Sequence, residues 1–171
     1  MFGFLKRSHQ PDIPPLRLHN TLSGKLELFV PLSGSEVKMY NCGPTVYNYF
    51  HIGNMFGPIM FNVLRRSLEV WGYTVNQVTN ITDFGHLSSD ADDGDDKMSV
   101  GLKREGLAFT IENMRVLAEK YADIYFRDNV QLGINIETIR FPRASKYTKE
   151  EISLIKALEE KQKKMAFETN I

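Results

Sequence analysis

The chain has 171 residues, 42% of them hydrophobic and 25% charged, which suits one domain, or one domain with an appendage, around a buried core. Lysine plus arginine number 21, as do aspartate plus glutamate, so no net basic field advertises nucleic acid and any such contact must come from a local patch. One cysteine excludes an internal disulfide, no run of about 18 apolar residues suggests a membrane span, and a reducing cytoplasm is the simplest setting.

The opening MFGFLKRSHQPDIPP has a basic pair but no apolar segment of about 7 to 15 residues, so residues 1–15 read as a mobile arm ended by Pro14 and Pro15, not as a signal peptide. From Leu16, the stretches LRLHNTL, KLELFVPL and EVKMYNCG alternate apolar and polar residues, with SGK and SGS between them as turn signals. They predict two short strands and then a core strand ending near Cys42. After Gly57 and Pro58, Met60, Val63, Leu64, Leu68 and Trp71 recur at helical spacing, and Gly72 supplies a stop. TVNQVTNITD is β-branched and of strand length, so strand, loop, helix and strand predict a βαβ unit whose ligand site lies at the carboxyl ends of its strands.

HLSSDADDGDDKMS is polar and turn-rich and predicts an exposed loop. Its DADDGDD run tempts a calcium reading, but the glycine is misplaced for such a loop and Gly101 stands where a glutamate would close it, so a solvated loop is preferred. From Gly106 to about Gln131, Ile111, Met114, Leu117, Ala118, Tyr121, Ile124 and Tyr125 follow helical spacing. FPRAS breaks the chain at Pro142, and KYTKEEISLIKALEEKQKKM predicts a last helix with Thr148 as N-cap and acidic residues in its first turn.

CGPTVYNYFHIGN, Cys42 to Asn54, concentrates the residues that suggest chemistry. HIGN lies between a strand and a helix, where unpaired backbone N–H groups and the helix dipole attract anions. His51 could hydrogen-bond a phosphate oxygen as charge develops in a transition state, and Gly53, lacking a Cβ, would let a flat base approach the backbone. Read alone, Cys42 is a small buried hydrophobe, Thr82 a turn former at a strand end, and Asp83 an Asx-turn or cap residue.

Taken in order and spacing, CGPTVYNYFHIGN, the NITD of Asn80 to Asp83 and the FPRAS of Phe141 to Ser145 closely resemble the amino-terminal catalytic half of cysteinyl-tRNA synthetase, a class I aminoacyl-tRNA synthetase, over nearly the whole chain from Leu18. The resemblance implies an α/β, Rossmann-like nucleotide-binding fold, incomplete, with residues 16–145 as its first half and 146–171 as a helix leading into an inserted domain. It implies a reaction in which cysteine and ATP, with Mg2+, give cysteinyl adenylate and pyrophosphate, after which the cysteinyl group passes to tRNA(Cys). By the same resemblance His51 and Asn54 are catalytic; Pro44, Thr45, His51, Gly53 and Asn54 bind ATP; Gly43, Thr45 and Thr82 line the cysteine pocket; and Cys42 is the first of four zinc ligands. A thiolate substrate on zinc would reject serine, because the metal holds sulfur far better than an alcohol.

Departures accompany the resemblance. Phe56 and Gly57 follow the HIGN signature where the family often has an arginine, and KMS at Lys97 to Ser99, part of the second class I signature, KMSKS, falls in the wrong half of the fold and reads as a coincidence. The sequence given ends at FETNI, where the family continues with three further zinc ligands, the second signature and the anticodon-binding helices, so a missing carboxyl-terminal half is an expected partner and the chain alone is expected to be inactive. Two alternatives stand beside this reading: a ligase that joins the cysteine adenylate to an amino sugar, and a non-catalytic nucleotide-binding remnant.

Overall fold

The structure, a computed structural model, describes residues 14–84 and 97–168, with side chains described as far as Gln162. The arm through residue 13, the acidic loop with its calcium reading, and the last three residues lie outside the described residues.

Strands β1 (Arg17–Asn20) and β2 (Lys25–Leu28) form an antiparallel hairpin, as the alternation predicts, turning at Gly24 with φ of 68°. Phe29 packs edge-on against Tyr73 with ring centroids 5.6 Å apart, tying the hairpin to the main body.

The main sheet has three parallel strands in the order β3 (Glu36–Asn41), β4 (Thr74–Thr79) and β5 (Ile139–Arg140). Pairing runs on past the strand ends through bridges between Thr45 and Thr82 and between Ile81 and Arg143. The two-residue β5 was not expected from the sequence, because it is too short to show alternation.

Val37, Met39 and Asn41 pair with Val75, Gln77 and Thr79 and so share one sheet face. Helix α1 (Ile52–Val70) and the second half of helix α3 (Ile111–Gln131) lie on that face, where Pro58, Phe61, Gln77, Tyr125 and Ile139 close around a small void. On the opposite face Lys38, Tyr40, Asn76 and Arg140 are exposed.

Helix α1 departs from expectation in where it starts and in which face it buries. It begins at Ile52, six residues before Pro58, because His51 and Asn54 form a capping box that starts the helix upstream. Pro58 is carried inside the helix. Its sheet-facing stripe is Met55, Asn62, Arg65 and Leu68, while Met60 and Val63, expected on the apolar face, are about half exposed. Polar groups are buried with them: Gln77 Nε2 donates to Asn41 Oδ1 at 2.9 Å, and Arg65 donates to Glu69 at 2.9 Å. Gly72 stops the helix as predicted, with φ of 83° and the Tyr73 N–H donating to the Leu68 carbonyl at 3.1 Å.

Lys97, Met98 and Ser99, read as loop, instead open helix α2 (Lys97–Arg104), and Met98 is fully buried. The helix expected from Gly106 starts at Ile111, capped by Thr110, whose hydroxyl accepts from the Asn113 N–H at 3.1 Å. Gly106 instead ends α2, with φ of 67° and Leu107 N–H donating to the Leu102 carbonyl. Met98, Leu102, Leu117, Tyr121 and Tyr125 pack with Val46 and Ile81 into one apolar core behind the strand ends. Helix α4 (Thr148–Glu168) forms where predicted, but Thr148 is its first residue, its hydroxyl donating to the Ser145 carbonyl, and every side chain described from 149 to 162 is exposed.

Two outcomes test this packing. A Cβ at Gly43 would sit 1.5 Å from the Asn80 carbonyl oxygen, so Gly43→Ala is expected to cost about 1–3 kcal/mol, whereas Gly57→Ala, mid-helix with nothing nearer than 3.6 Å, is expected to gain about 0.5–1 kcal/mol; urea unfolding of both variants reads the contrast. Burial pushes the Tyr125 phenol up to about 12. The folded state then holds a proton that the unfolded chain releases near an ordinary value of about 10, so this contribution is complete below pH 10 and is lost as pH rises toward 12. Denaturation midpoints of the chain and of Tyr125→Phe across that window should converge as pH rises.

Candidate functional site

A cavity of about 520 Å³ opens at the carboxyl end of β3, beside the start of α1, the kind of position at which parallel α/β sheets hold ligands. Cys42, Thr45, His51, Asn54, Lys97 and Tyr125 line it, together with Gly43, Pro44 and Gly53. Cys42 and His51 therefore face one cleft. Thr82 does not line the cavity. Its backbone is paired on both sides of Thr45, with the Thr82 N–H donating to the Pro44 carbonyl at 2.9 Å and the Val46 N–H donating to the Thr82 carbonyl at 3.1 Å, and its hydroxyl accepts from Asn80 Nδ2 at 3.1 Å.

The cavity floor depends on a close approach of backbones. Gly43 N–H donates to Asn80 Oδ1 at 2.9 Å, and no side chain fits between Gly43 and the Asn80 carbonyl. The absent side chain of Gly43 is thus explained by strand packing as much as by any ligand. Asp83, read alone as a cap of its own turn, instead reaches across to the FPRAS segment, accepting from the Ser145 N–H at 2.9 Å and the Ser145 hydroxyl at 2.6 Å.

At the helix start the structure revises the anion reading. The N–H of Gly53 is not free, because it donates to His51 Nδ1 at 3.1 Å, and the Asn54 N–H donates to the His51 carbonyl at 2.9 Å. In return the His51 N–H donates to Asn54 Oδ1 at 3.2 Å. Two consequences follow for the side chains. With Nδ1 accepting, a neutral His51 ring carries its proton on Nε2 and can donate from there. With Oδ1 accepting, Asn54 keeps Nδ2 as a donor. Gly53 has a local reason as well, since a Cβ there would lie 3.0 Å from the His51 ring and displace it.

Aromatic rings supply the walls. Phe50 and Tyr125 meet edge to face at 5.2 Å, and Tyr49 meets Tyr121 in the same manner at 5.3 Å. No carboxylate is among the described lining residues, whose only groups able to carry positive charge are Lys97 and His51. Phe56, in place of the family's frequent arginine, is exposed.

Among the described residues no group of three His, Cys, Asp or Glu side chains could hold a metal ion, and Cys42 is exposed. One thiolate does not make a tetrahedral zinc site, so the described residues alone do not fit the implied zinc.

Lys97 and Tyr125 escaped the sequence reading of the site. Lys97 is separated from CGPTVYNYFHIGN by an acidic run that reads as solvated loop, and Tyr125 sits in a periodic stripe that reads as core, which it also is.

The family model for the catalytic domain of class I (C) tRNA synthetases matches residues 28–170. Proteins named cysteine--tRNA ligase resemble the chain closely: one from Burkholderia lata is 42% identical over 85% of this chain, one from Deinococcus radiodurans 42% over 90%, and one from Treponema denticola 40% over 84%. The matched segment covers 30%, 30% and 28% of those relatives, so the chain spans about a third or less of their length. These names do not favour the amino-sugar ligase alternative. With three parallel strands, a cavity at the carboxyl end of the first of them and this match, the chain belongs to the class I (C) tRNA synthetase catalytic-domain family.

Proposed function

We propose that the chain is the amino-terminal part of the catalytic domain of a cysteine–tRNA ligase, whose complete form joins cysteine to ATP as cysteinyl adenylate and passes the cysteinyl group to tRNA(Cys). The observation that carries this reading is that Cys42, Thr45, His51 and Asn54 line one cavity at the carboxyl end of a parallel strand, in a chain of this family. Residues 16–145 form the first half of the catalytic fold in this reading, and α4 leads into an inserted domain.

Adenylation requires the cysteine carboxylate to attack the α-phosphorus of ATP while pyrophosphate leaves. His51 and Asn54 suit the phosphate side of that event. The reciprocal cap fixes both side chains before any ligand arrives, so their remaining donors, Nε2 and Nδ2, meet charge developing on phosphate oxygens without reorganising. Pro44, Thr45 and Gly53 complete the ATP side, and Gly43 and Thr45 lie beside Cys42 for the amino acid. Thr82 acts through Thr45, by holding its backbone, unlike the direct contact first expected. Mg2+ enters with the ATP phosphates, since the described cavity lining offers it no carboxylate. Zinc on Cys42 needs ligands from outside the described residues, and no step here runs through it.

Cysteine-dependent ATP–pyrophosphate exchange tests the reading. The chain alone should give no measurable exchange, because losing even one well-placed donor costs about 10²- to 10³-fold and the described cavity holds one lysine and no assembled metal site. Added to the remaining two-thirds of a relative's polypeptide, it should recover exchange that His51→Ala abolishes; silence of that mixture would favour the non-catalytic remnant. Calorimetry should likewise show only weak zinc binding, unchanged by Cys42→Ser. Tight one-to-one binding lost in that variant would show that the chain alone assembles the metal site.

A further inference from the structure

Lys97 lines the cavity although neither the strand motifs nor the helix cap accounts for it. It opens α2, and its placement follows from how that helix docks. Lys97, Gly101 and Arg104 fall at i, i+4 and i+7 and so share one helix face. The lower two positions grip the loop that leads into HIGN. Arg104 Nη2 donates to the Tyr47 carbonyl at 2.6 Å, and a Cβ at Gly101 would lie 2.9 Å from that same oxygen, so only glycine lets the helix come this close. Arg104 is itself held, donating to the Tyr121 hydroxyl at 3.0 Å, and that hydroxyl donates to Glu105 at 2.5 Å. The opposite side of α2 is anchored by buried Met98 and Leu102. With the face fixed at two points on one loop, its first residue projects into the cavity that the loop encloses.

What an ammonium group does there is set by its company. Among the described residues no carboxylate lines the cavity and no acidic side chain pairs with Lys97. The Gly53 N–H at the start of α1 is occupied by His51, which leaves the helix end poorer in backbone donors for an anion than its position suggests. A cavity that receives a polyanion through neutral donors alone would leave that charge uncompensated at low dielectric.

We propose that Lys97 is a phosphate-binding residue of this cavity, pairing with the leaving phosphates of the nucleoside triphosphate. This rests on the reading that the cavity takes ATP. Lysine suits the role as a compact, rotatable point charge, whereas a planar carboxylate such as that of the amino acid is better matched by the fork of an arginine.

The test is calorimetric titration of the chain, Lys97→Ala and Lys97→Arg with ATP, inorganic pyrophosphate, adenosine and cysteine. Loss of a charged hydrogen bond should weaken ATP and pyrophosphate about 10- to 100-fold in Lys97→Ala, leave adenosine and cysteine unchanged, and be largely restored in Lys97→Arg. The far-ultraviolet spectrum of each variant confirms that α2 is intact. Full-strength ATP and pyrophosphate binding by Lys97→Ala would overturn the assignment while leaving the cavity reading in place. A loss confined to cysteine would overturn it in favour of the substrate carboxylate. Failure of the unmodified chain to bind either ATP or adenosine would remove the cavity reading, and Lys97 with it.

Discussion

Three strand tips, zipped to one another beyond the end of the regular sheet, hold this molecule's working end together. Gly43 lies against the Asn80 backbone; Thr45 bridges Thr82; Ile81 donates to the Pro142 carbonyl at 2.8 Å and accepts from the Ala144 N–H at 3.0 Å. Asp83 closes the row on Ser145. The stretches CGPT, NITD and FPRAS, distant in sequence, are thus neighbouring rungs of one ladder. Most rungs are backbone to backbone, and at Gly43 the approach is close enough to exclude any side chain. The cavity is what lies above this ladder, and the apolar cluster around Val46 and Ile81 is what lies behind it.

That arrangement explains which parts could be read from the sequence. Strand alternation revealed β1, β2 and β3, and β-branched composition revealed β4, because period-two patterns survive even in short segments. The glycine stop at Gly72 was legible for the same reason: a positive φ requires a particular residue. Cys42, Thr45, His51 and Asn54 were legible as a group through their motif. Thr82 does not line that cavity and its hydroxyl meets Asn80, since a motif records position along the chain and not where a hydroxyl points.

The unread parts share a different cause. The buried side of α1 mixes Met55 and Leu68 with the polar Asn62 and Arg65, so hydrophobic periodicity found Leu68 but pointed to Met60 and Val63 as well. Helix α2 was hidden because Lys97 to Ser99 close a polar, acidic run that reads as loop, whereas Gly101 and Arg104 meet Tyr47 across the chain and Lys97 lines the cavity. The capping box at His51 also outweighed Pro58 as the mark of where α1 begins: reciprocal side-chain caps start a helix, while a proline inside it removes only one hydrogen bond.

Helix α4 stands apart from all of this. Its described side chains from 149 onward are exposed, and among the described residues no ion pair braces it. A lone helix of about its length is marginal in water, since propagation barely repays nucleation without a packed face. In hydrogen-exchange terms, amides of α4 are expected to exchange through local fraying, on a faster clock than those of the sheet and α3.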